Sequence, residues 1–156
     1  MRRKDREITD PGEIRAILGR ARVLHLGINA EEEPYVVPMH YGFSLEDGRL
    51  MLCVHCAKEG RKLELLRRDG RVFVEIDAGE ALIPAGKPCA WGAAYACVMG
   101  RGRAVVVEDE EEKAALLGLL MRTQTGAEHE ITPAMAAAVC VLRIDVEELS
   151  AKARRA

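Results

Sequence analysis

The sequence predicts an α+β fold, a small and mostly antiparallel β-barrel of six short strands with one helix before the strands and two between them. Six separate segments have the pattern of strands: most alternate apolar and polar residues, as strands with one buried face do, and 50–54 is a short continuous apolar run. Short turns or single helices join successive segments, so neighbours along the chain should pair locally and not in a βαβ alternation. Glycines inside the longest segment favour a bent strand, as at a barrel corner.

Size and composition fit one globular domain over residues 1–156. Hydrophobic residues make up 49% of the chain and charged residues 31%, which leaves enough apolar material for a core. The formal net charge of −2 argues against a nucleic-acid partner, because binding to phosphate backbones needs a sustained basic surface. No apolar run is long enough to cross a membrane and the first residues are charged, so we expect no membrane partner and a cytoplasmic location.

Five cysteines, most of them inside apolar segments, predict buried thiols in a reducing compartment. Cys53 and Cys56 have the C-x-x-C spacing, but no second pair follows at the spacing of a zinc ribbon. The setting of a thioredoxin-like motif, at the first turn of a helix, is also missing. We therefore predict neither a metal site nor a redox pair.

The first half of the chain is predicted to contain one helix and three strands. Asp10 is placed to cap a helix over 11–20, and Pro11 suits its first position. Apolar residues at 14, 17, 18 and 21 give this helix one buried stripe. Alternation predicts strands over 22–28 and 34–43, and the turn at 46–48 pairs the second of these with a strand over 49–54.

The second half is predicted to contain two helices, a short helical turn and three strands. Leucines at 63 and 66 indicate a helix over 61–68, and clean alternation predicts a strand over 71–77. A loop over 78–90 then leads to a long strand over 93–107. Asp109 is placed to cap the next helix, Thr132-Pro133 to start one helical turn, and 139–146 to form the last strand, with an exposed basic tail beyond Glu148.

A basic cluster lies where the third strand gives way to a helix. His55, Lys58, Arg61 and Lys62 surround Gly60, so cations and a small residue meet at a helix N-terminus. Free backbone N–H groups and the helix dipole favour an anion there, and the cations would add charge-assisted hydrogen bonds. This predicts a phosphate site, while a bare cluster of this kind is more often a solvated turn before a surface helix.

Pro38 is unusual because it lies in the middle of a predicted strand. A proline cannot donate to a strand ladder, so it marks an edge or a bulge. With Gly42 nearby, the segment 37–40 would be able to present main-chain groups to a flat heterocycle. Protection of an edge strand from aggregation explains the same residues equally well.

Several motifs in a fixed order resemble the FMN-binding split barrels. Within these the chain is most similar to the pyridoxamine-phosphate-oxidase-like proteins that include the 5-nitroimidazole-resistance reductases. The resemblance covers about residues 14–149. It is carried by the strand Tyr35-Val36-Val37-Pro38-Met39-His40-Tyr41-Gly42-Phe43, the Asp47-Gly48 turn, His55-x-Ala57-x-x-Gly60-Arg61-Lys62, Cys89-x-Trp91, Tyr95-x-x-Val98-x-Gly100-x-Gly102-x-Ala104 and the helix start over 108–113.

The resemblance implies a homodimer with FMN in a cleft between the two subunits. The phosphate would be held by His55, Lys58, Arg61 and Lys62. The isoalloxazine would lie along Val37, Pro38, Met39 and His40. Trp91 and Tyr95 would close the site from the partner subunit.

The resemblance also implies flavin chemistry, with reduction of a small acceptor such as a nitroaromatic by a nicotinamide donor, NADH or NADPH. His40 or His55 would be the catalytic proton donor. Two alternatives stay open. The barrel would also suit a module that binds flavin, deazaflavin or haem without turnover, with His25 or His40 as the haem ligand. A pyridoxamine-phosphate oxidase would need a second cation cluster for its substrate, whereas the sequence shows a single cluster of this kind, which makes it the less favoured alternative.

Overall fold

Every strand of the part of the chain described here joins one antiparallel sheet, and four α-helices flank it. The structure is a computed structural model that describes residues 3–31 and 33–155. The strands are β1 Glu7–Ile8, β2 Val23–Ile28, β3 Tyr35–His40, β4 Gly42–Glu46, β5 Arg49–Cys56, β6 Arg71–Ile83, β7 Gly92–Val107 and β8 Cys140–Arg154. The helices are α1 Pro11–Arg20, α2 Arg61–Arg68, α3 Glu110–Thr125 and α4 Pro133–Ala136.

The strands follow the order β3-β2-β6-β7-β8-β5-β4, and β1 pairs with the far end of β8. The α+β class and the antiparallel arrangement are confirmed. The prediction of six strands is wrong, because there are eight in the described residues. The sheet is also not closed into a full barrel. Over that same stretch of chain, β3 and β4 form its two ends, although they follow each other in sequence.

The predicted strand over 34–43 is in fact two strands, β3 and β4. Alternation continues through Tyr41, but the pairing partner changes there from β2 to β5. Tyr41 is fully buried, and its hydroxyl donates a hydrogen bond of 2.7 Å to the carbonyl of Leu18 in α1. A change of partner across a buried residue leaves the alternation intact, which is why the pattern did not show it.

Two other strands, β6 and β8, are longer than predicted. Residues 78–83, expected in a loop, continue β6 past a bulge between Ala78 and Ala81 and pair with the alanine-rich start of β7. The tail beyond Glu148, expected to be exposed, continues β8 to Arg154 and pairs with β7 and β1. Backbone pairing to a neighbouring strand holds both extensions in the sheet. Because neither extension buries one whole face, its apolar residues do not alternate cleanly.

Local signals at the helix ends are confirmed. The carboxylate of Asp10 accepts the Glu13 N–H at 2.8 Å, and that of Asp109 accepts the Glu112 N–H at 2.7 Å. Thr132 caps the short helix α4 in the same way. Such caps depend only on residues three positions apart, so the sequence suffices to predict them. None of the described helices is long and apolar enough to cross a bilayer.

The core lies between one face of the sheet and the helices α1 and α2. The predicted stripe of α1 is buried there, with Leu18 0% exposed. Inward residues of β2 and β6 pack against it, among them Leu26 and Ile76. Burial of each such side chain contributes about 1.5–3 kcal/mol. A second apolar cluster lies under α3 and includes Leu116 and Cys53.

The turn between α2 and β6 is held by Asp69. Its carboxylate accepts hydrogen bonds from the Arg71 guanidinium at 2.7 Å, from the Arg71 backbone N–H at 3.0 Å and from the Asn29 amide at 3.0 Å. These donors, the Arg71 side chain first, hold the pKa of Asp69 below its usual range. The ionised carboxylate therefore ties the end of α2 to the start of β6 and to the loop after β2.

Candidate functional site

The predicted junction between strand and helix is present. β5 ends at Cys56, α2 begins at Arg61, and Gly60 is the N-cap with φ 130°, in the region that favours glycine. No side chain caps this helix, in contrast to α1 and α3. The Leu63 N–H donates to the Gly60 carbonyl at 3.0 Å, so the Arg61 and Lys62 N–H groups and the positive end of the dipole are what this end of α2 offers to an anion.

The structure brings two predicted parts of the site together, the basic cluster and the strand β3. The Nζ of Lys62 lies 3.3 Å from the Sδ of Met39. The guanidinium of Arg61 lies 5.0 Å from the ring centroid of Tyr35 at the start of β3. Residues more than twenty positions apart thereby share one surface, at which cations border an extended backbone.

Arg61 also has a competing partner in the loop before β3. Its Nη2 lies 3.1 Å from the Oε1 of Glu33, and both side chains are more than half exposed. Lys58 and His55 are exposed on the same junction, His55 opposite Val141 of β8. His55, Lys58 and Arg61 therefore face solvent, Lys62 is half-buried, and Glu33 places a carboxylate beside Arg61.

β3 is an edge strand, which confirms one of the two interpretations of Pro38. Within the described residues it pairs only with β2, where Pro38 lies opposite His25. Val36, Pro38 and His40 point outward and are exposed, while Val37 and Met39 face the core side. A free edge also leaves main-chain groups available to a ligand, so the edge position and the predicted ring contact are compatible.

His40 has a defined orientation. Its Nδ1 lies 3.0 Å from the carbonyl oxygen of Arg22, which accepts only, so Nδ1 carries a proton in this contact. The Nε2 atom is then the nitrogen left for a ligand or substrate.

His25 lies in a cluster that the sequence did not reveal. Its Nδ1 is 3.1 Å from Glu75 Oε2 and 3.9 Å from Asp77 Oδ1, both on the neighbouring strand β6. One ligand atom from each of the three residues lies within 4.8 Å of the others. Only the register between β2 and β6 brings them together. Because a carboxylate oxygen only accepts, Nδ1 of His25 donates to Glu75, and this hydrogen bond accounts for the contact between the two side chains.

Trp91 and Tyr95 are not brought to the junction within one chain. Tyr95 pairs with Arg154 at the end of β8, whereas Cys56 at the junction pairs with Cys140 at its beginning. The two places are thus at opposite ends of a 15-residue strand, a path of roughly 45 Å along an extended chain. Their predicted role next to the flavin therefore requires a second copy of the chain.

The fold is an open antiparallel sheet, and a basic strand-to-helix junction lies beside its edge strand β3. The profile of the pyridoxamine 5'-phosphate oxidase family matches residues 10–153. The chain belongs to this family. No curated protein sequence matches it.

Solved structures agree in fold. A candidate 5-nitroimidazole antibiotic resistance protein from Bacteroides thetaiotaomicron is 30% identical, with a TM-score of 0.80 over 94% of this chain and 86% of that one. The flavocytochrome Anf3 from Azotobacter vinelandii is 21% identical, with a TM-score of 0.79 over 100% of this chain and 72% of that one. An FAD- and haem-binding protein from Mycobacterium smegmatis is 17% identical, with a TM-score of 0.78 over 97% and 74%.

Proposed function

We propose that this protein binds FMN and reduces a small acceptor, such as a nitroaromatic, with electrons from NADH or NADPH. The observation that carries the proposal is the uncapped N-terminus of α2, with Arg61 and Lys62 beside the edge strand β3. Membership of the pyridoxamine 5'-phosphate oxidase family and similarity to the Bacteroides thetaiotaomicron protein support it.

The residues present fit a flavin phosphate. Gly60 lets the backbone approach closely, and the first-turn N–H groups have no side-chain cap. Lys58, Arg61 and Lys62 would supply the positive charge, and His55 would lie at the strand end beside them. Val37, Pro38, Met39 and His40 would line the ring along β3. When bound, FMN supplies the electron transfer.

The chain's own contribution to the reaction would be position and a proton. The carbonyl of Arg22 holds Nδ1 of His40, so a protonated His40 would donate from Nε2. Replacing His40 with Gln should lower turnover with little loss of flavin. Equal turnover in this variant would transfer the role to His55.

We further propose that two copies form the site. Val36 and Phe73 are 57% and 51% exposed, and the register places both next to Gly27 on the outer face of the sheet. A second copy would cover this apolar patch and would also bring its Trp91 and Tyr95 to the flavin. Phe73→Glu should yield monomers in light scattering and should reduce flavin retention together with dimerisation.

The primary test is the visible absorption spectrum of the purified protein, followed by release of any chromophore and anaerobic titration with NADH or NADPH. A flavin spectrum that bleaches on titration would support a reductase and justify a screen of nitroaromatics. A colourless protein that does not take up added FMN would refute the proposal.

Paired variants test the phosphate site itself. Arg61→Ala with Lys62→Ala should lower FMN affinity strongly and leave the fold intact. Arg67→Ala with Arg68→Ala removes the same charge from the other end of α2 and should have little effect. If the two pairs weaken FMN binding equally, only the net charge of the helix matters and the assignment fails.

A second candidate function is a module that binds flavin or haem without turnover. Exposed His25 on the outer sheet face favours it, and two of the similar structures are described as a flavocytochrome and as an FAD- and haem-binding protein. A Soret band that disappears in His25→Ala or His40→Ala would establish this alternative. A flavin spectrum that NADH and NADPH do not bleach would indicate a binding module for flavin alone.

A further inference from the structure

A second group of cations surrounds a cavity at the opposite end of the sheet from the flavin-phosphate junction. The cavity has a volume of about 480 Å³ and lies between α1 and the extended ends of β6, β7 and β8. These are the strand extensions that alternation did not predict. The volume falls within the range of small-molecule sites, about 300–1,000 Å³.

The walls of this cavity are apolar and made of small side chains. Ala78, Ala94 and Ala96 come from the two sheet strands, and Ile17 from α1. Alanines at these positions leave open a volume that larger side chains would fill. The bulge between Ala78 and Ala81 falls at the cavity edge and redirects β6 around it.

Arginine guanidiniums form the rim. Arg20 lies over Gly79, where a Cβ would be 3.5 Å from its Nη2, and Gly79 has a φ of 73°. Arg154 lies so close to Gly92 that a Cβ there would be 2.7 Å from its Cζ. At 92 the absence of a Cβ leaves room for the Arg154 guanidinium, whereas at 79 the positive φ favours glycine and a Cβ would meet Arg20 only at ordinary contact distance.

The rim carries uncompensated positive charge. Arg155 is paired with Glu13 at 2.8 Å. Arg20 and Arg154 have no carboxylate within ion-pair distance in the described part of the chain. The Tyr95 hydroxyl, also at the cavity, accepts a hydrogen bond from Arg6 at 3.1 Å, which leaves its own proton to donate.

From this arrangement we infer that the cavity binds a small organic oxyanion, a carboxylate or a phosphate monoester on a compact apolar body. The oxyanion would accept hydrogen bonds from Arg20 and Arg154, as guanidiniums favour. The apolar body would pack between the alanines. Within one chain the cavity and the flavin-phosphate junction lie at opposite ends of β8. In the proposed dimer, Tyr95 of this cavity would also face the partner's flavin, so the oxyanion site is distinct from the phosphate site of the flavin but borders the shared cleft.

Isothermal titration of the full chain with benzoate, phenyl phosphate and the neutral analogue benzamide tests the inference. At least one anion should bind saturably, and benzamide at least about tenfold more weakly, because it lacks the charge-assisted bonds. Arg20→Gln and Arg154→Gln should each weaken anion binding about tenfold. Arg103→Gln, an exposed arginine of β7 away from the cavity, is the matched control.

A volume probe complements the charge variants. Ala94→Leu should abolish binding of both anions by filling the cavity, with circular dichroism to check the fold. If that variant does not fold, the two arginine variants still decide the question. Preference for benzoate or phenyl phosphate identifies the kind of oxyanion.

Several results would overturn the inference. One is the absence of saturable binding to wild-type protein, and another is equal weakening by Arg103→Gln. A third is a combination of two results: wild-type protein binds no anion, and Arg20→Gln or Arg154→Gln changes the oligomeric state. The guanidiniums would then form a contact between chains. Arg61→Ala with Lys62→Ala should leave benzoate affinity unchanged, so failure of the flavin proposal and failure of this one are distinguishable.

Discussion

Replacing Glu33 with Gln should strengthen FMN binding, although Glu33 is not expected to touch the flavin. Its carboxylate lies 3.1 Å from Arg61, one of the cations assigned to the phosphate. For Arg61 to contact the phosphate, this ion pair must break or weaken. The substitution Glu33→Gln keeps the size of the side chain and removes its charge.

The expected gain follows from the exposure of the pair. The side chains of Arg61 and Glu33 are 54% and 65% exposed, so the pair contributes about 0.2–1 kcal/mol. Release of that competition should tighten FMN binding by at most about fivefold. Lys62→Gln should act in the opposite direction and more strongly, by about tenfold or more, because it removes a charge-assisted bond to phosphate.

Quenching of flavin fluorescence during titration of FMN-free protein measures both effects. The matched control is Glu31→Gln, since Glu31 belongs to the same loop but lies 3.8 Å from Arg68 at the other end of α2. The gain from Glu33→Gln should shrink in about 1 M salt, where the screening length is about 3 Å.

Two results would refute this reasoning. If Glu33→Gln binds FMN no better than wild type while Lys62→Gln binds it tenfold worse, Arg61 does not contact the phosphate. If Glu31→Gln produces the same gain as Glu33→Gln, the effect belongs to the net charge of the loop and not to the pair.

Three further predictions follow from the fold. The depressed pKa of Asp69 means that its ionised form stabilises the protein above the pKa of the unfolded chain, about 3.9, and that this contribution is lost as pH falls through the folded value. Asp69→Asn should therefore lower the Tm at pH 7, and the difference from wild type should shrink in acid; a constant difference would contradict the linkage. Burial raises the pKa of the Cys53 thiol to about 12, so iodoacetamide at pH 8 should alkylate exposed Cys89 and spare Cys53 in the native protein, as mass spectrometry of peptides can check. Tyr41→Phe removes the donor to the Leu18 carbonyl and should cost about 1–3 kcal/mol in urea denaturation, because that carbonyl is left buried without its partner; unchanged stability would show that the carbonyl finds another donor.

Sequence reasoning succeeded where structure depends on near neighbours. The caps at Asp10 and Asp109 join residues three positions apart, and the turn at 46–48 joins adjacent strands. The junction at Gly60 is likewise local, with cations, glycine and the helix start in one segment. For such features the chemistry and its geometry lie within a few residues of each other.

The same reasoning failed where pairing continues without an apolar pattern. Residues 78–83 and the chain after Glu148 belong to long strands, because their backbones find partners in β7. Hydrogen bonding to a neighbouring strand leaves little trace in side-chain type when neither face is deeply buried. At Tyr41 the apolar pattern continues although the pairing partner changes from β2 to β5, because a buried side chain is compatible with either strand.

The sequence by itself therefore determined the α+β class, the helix ends, the inward residues of most strands and the basic junction that suits a phosphate. Tertiary structure alone decided the open order of the sheet and the approach of Lys62 to Met39. It also formed the cavity that Arg20 and Arg154 both line, although these residues lie near opposite ends of the chain. The physical reason is that local structure follows from residues a few positions apart, whereas strand register and packing are set by the whole chain at once.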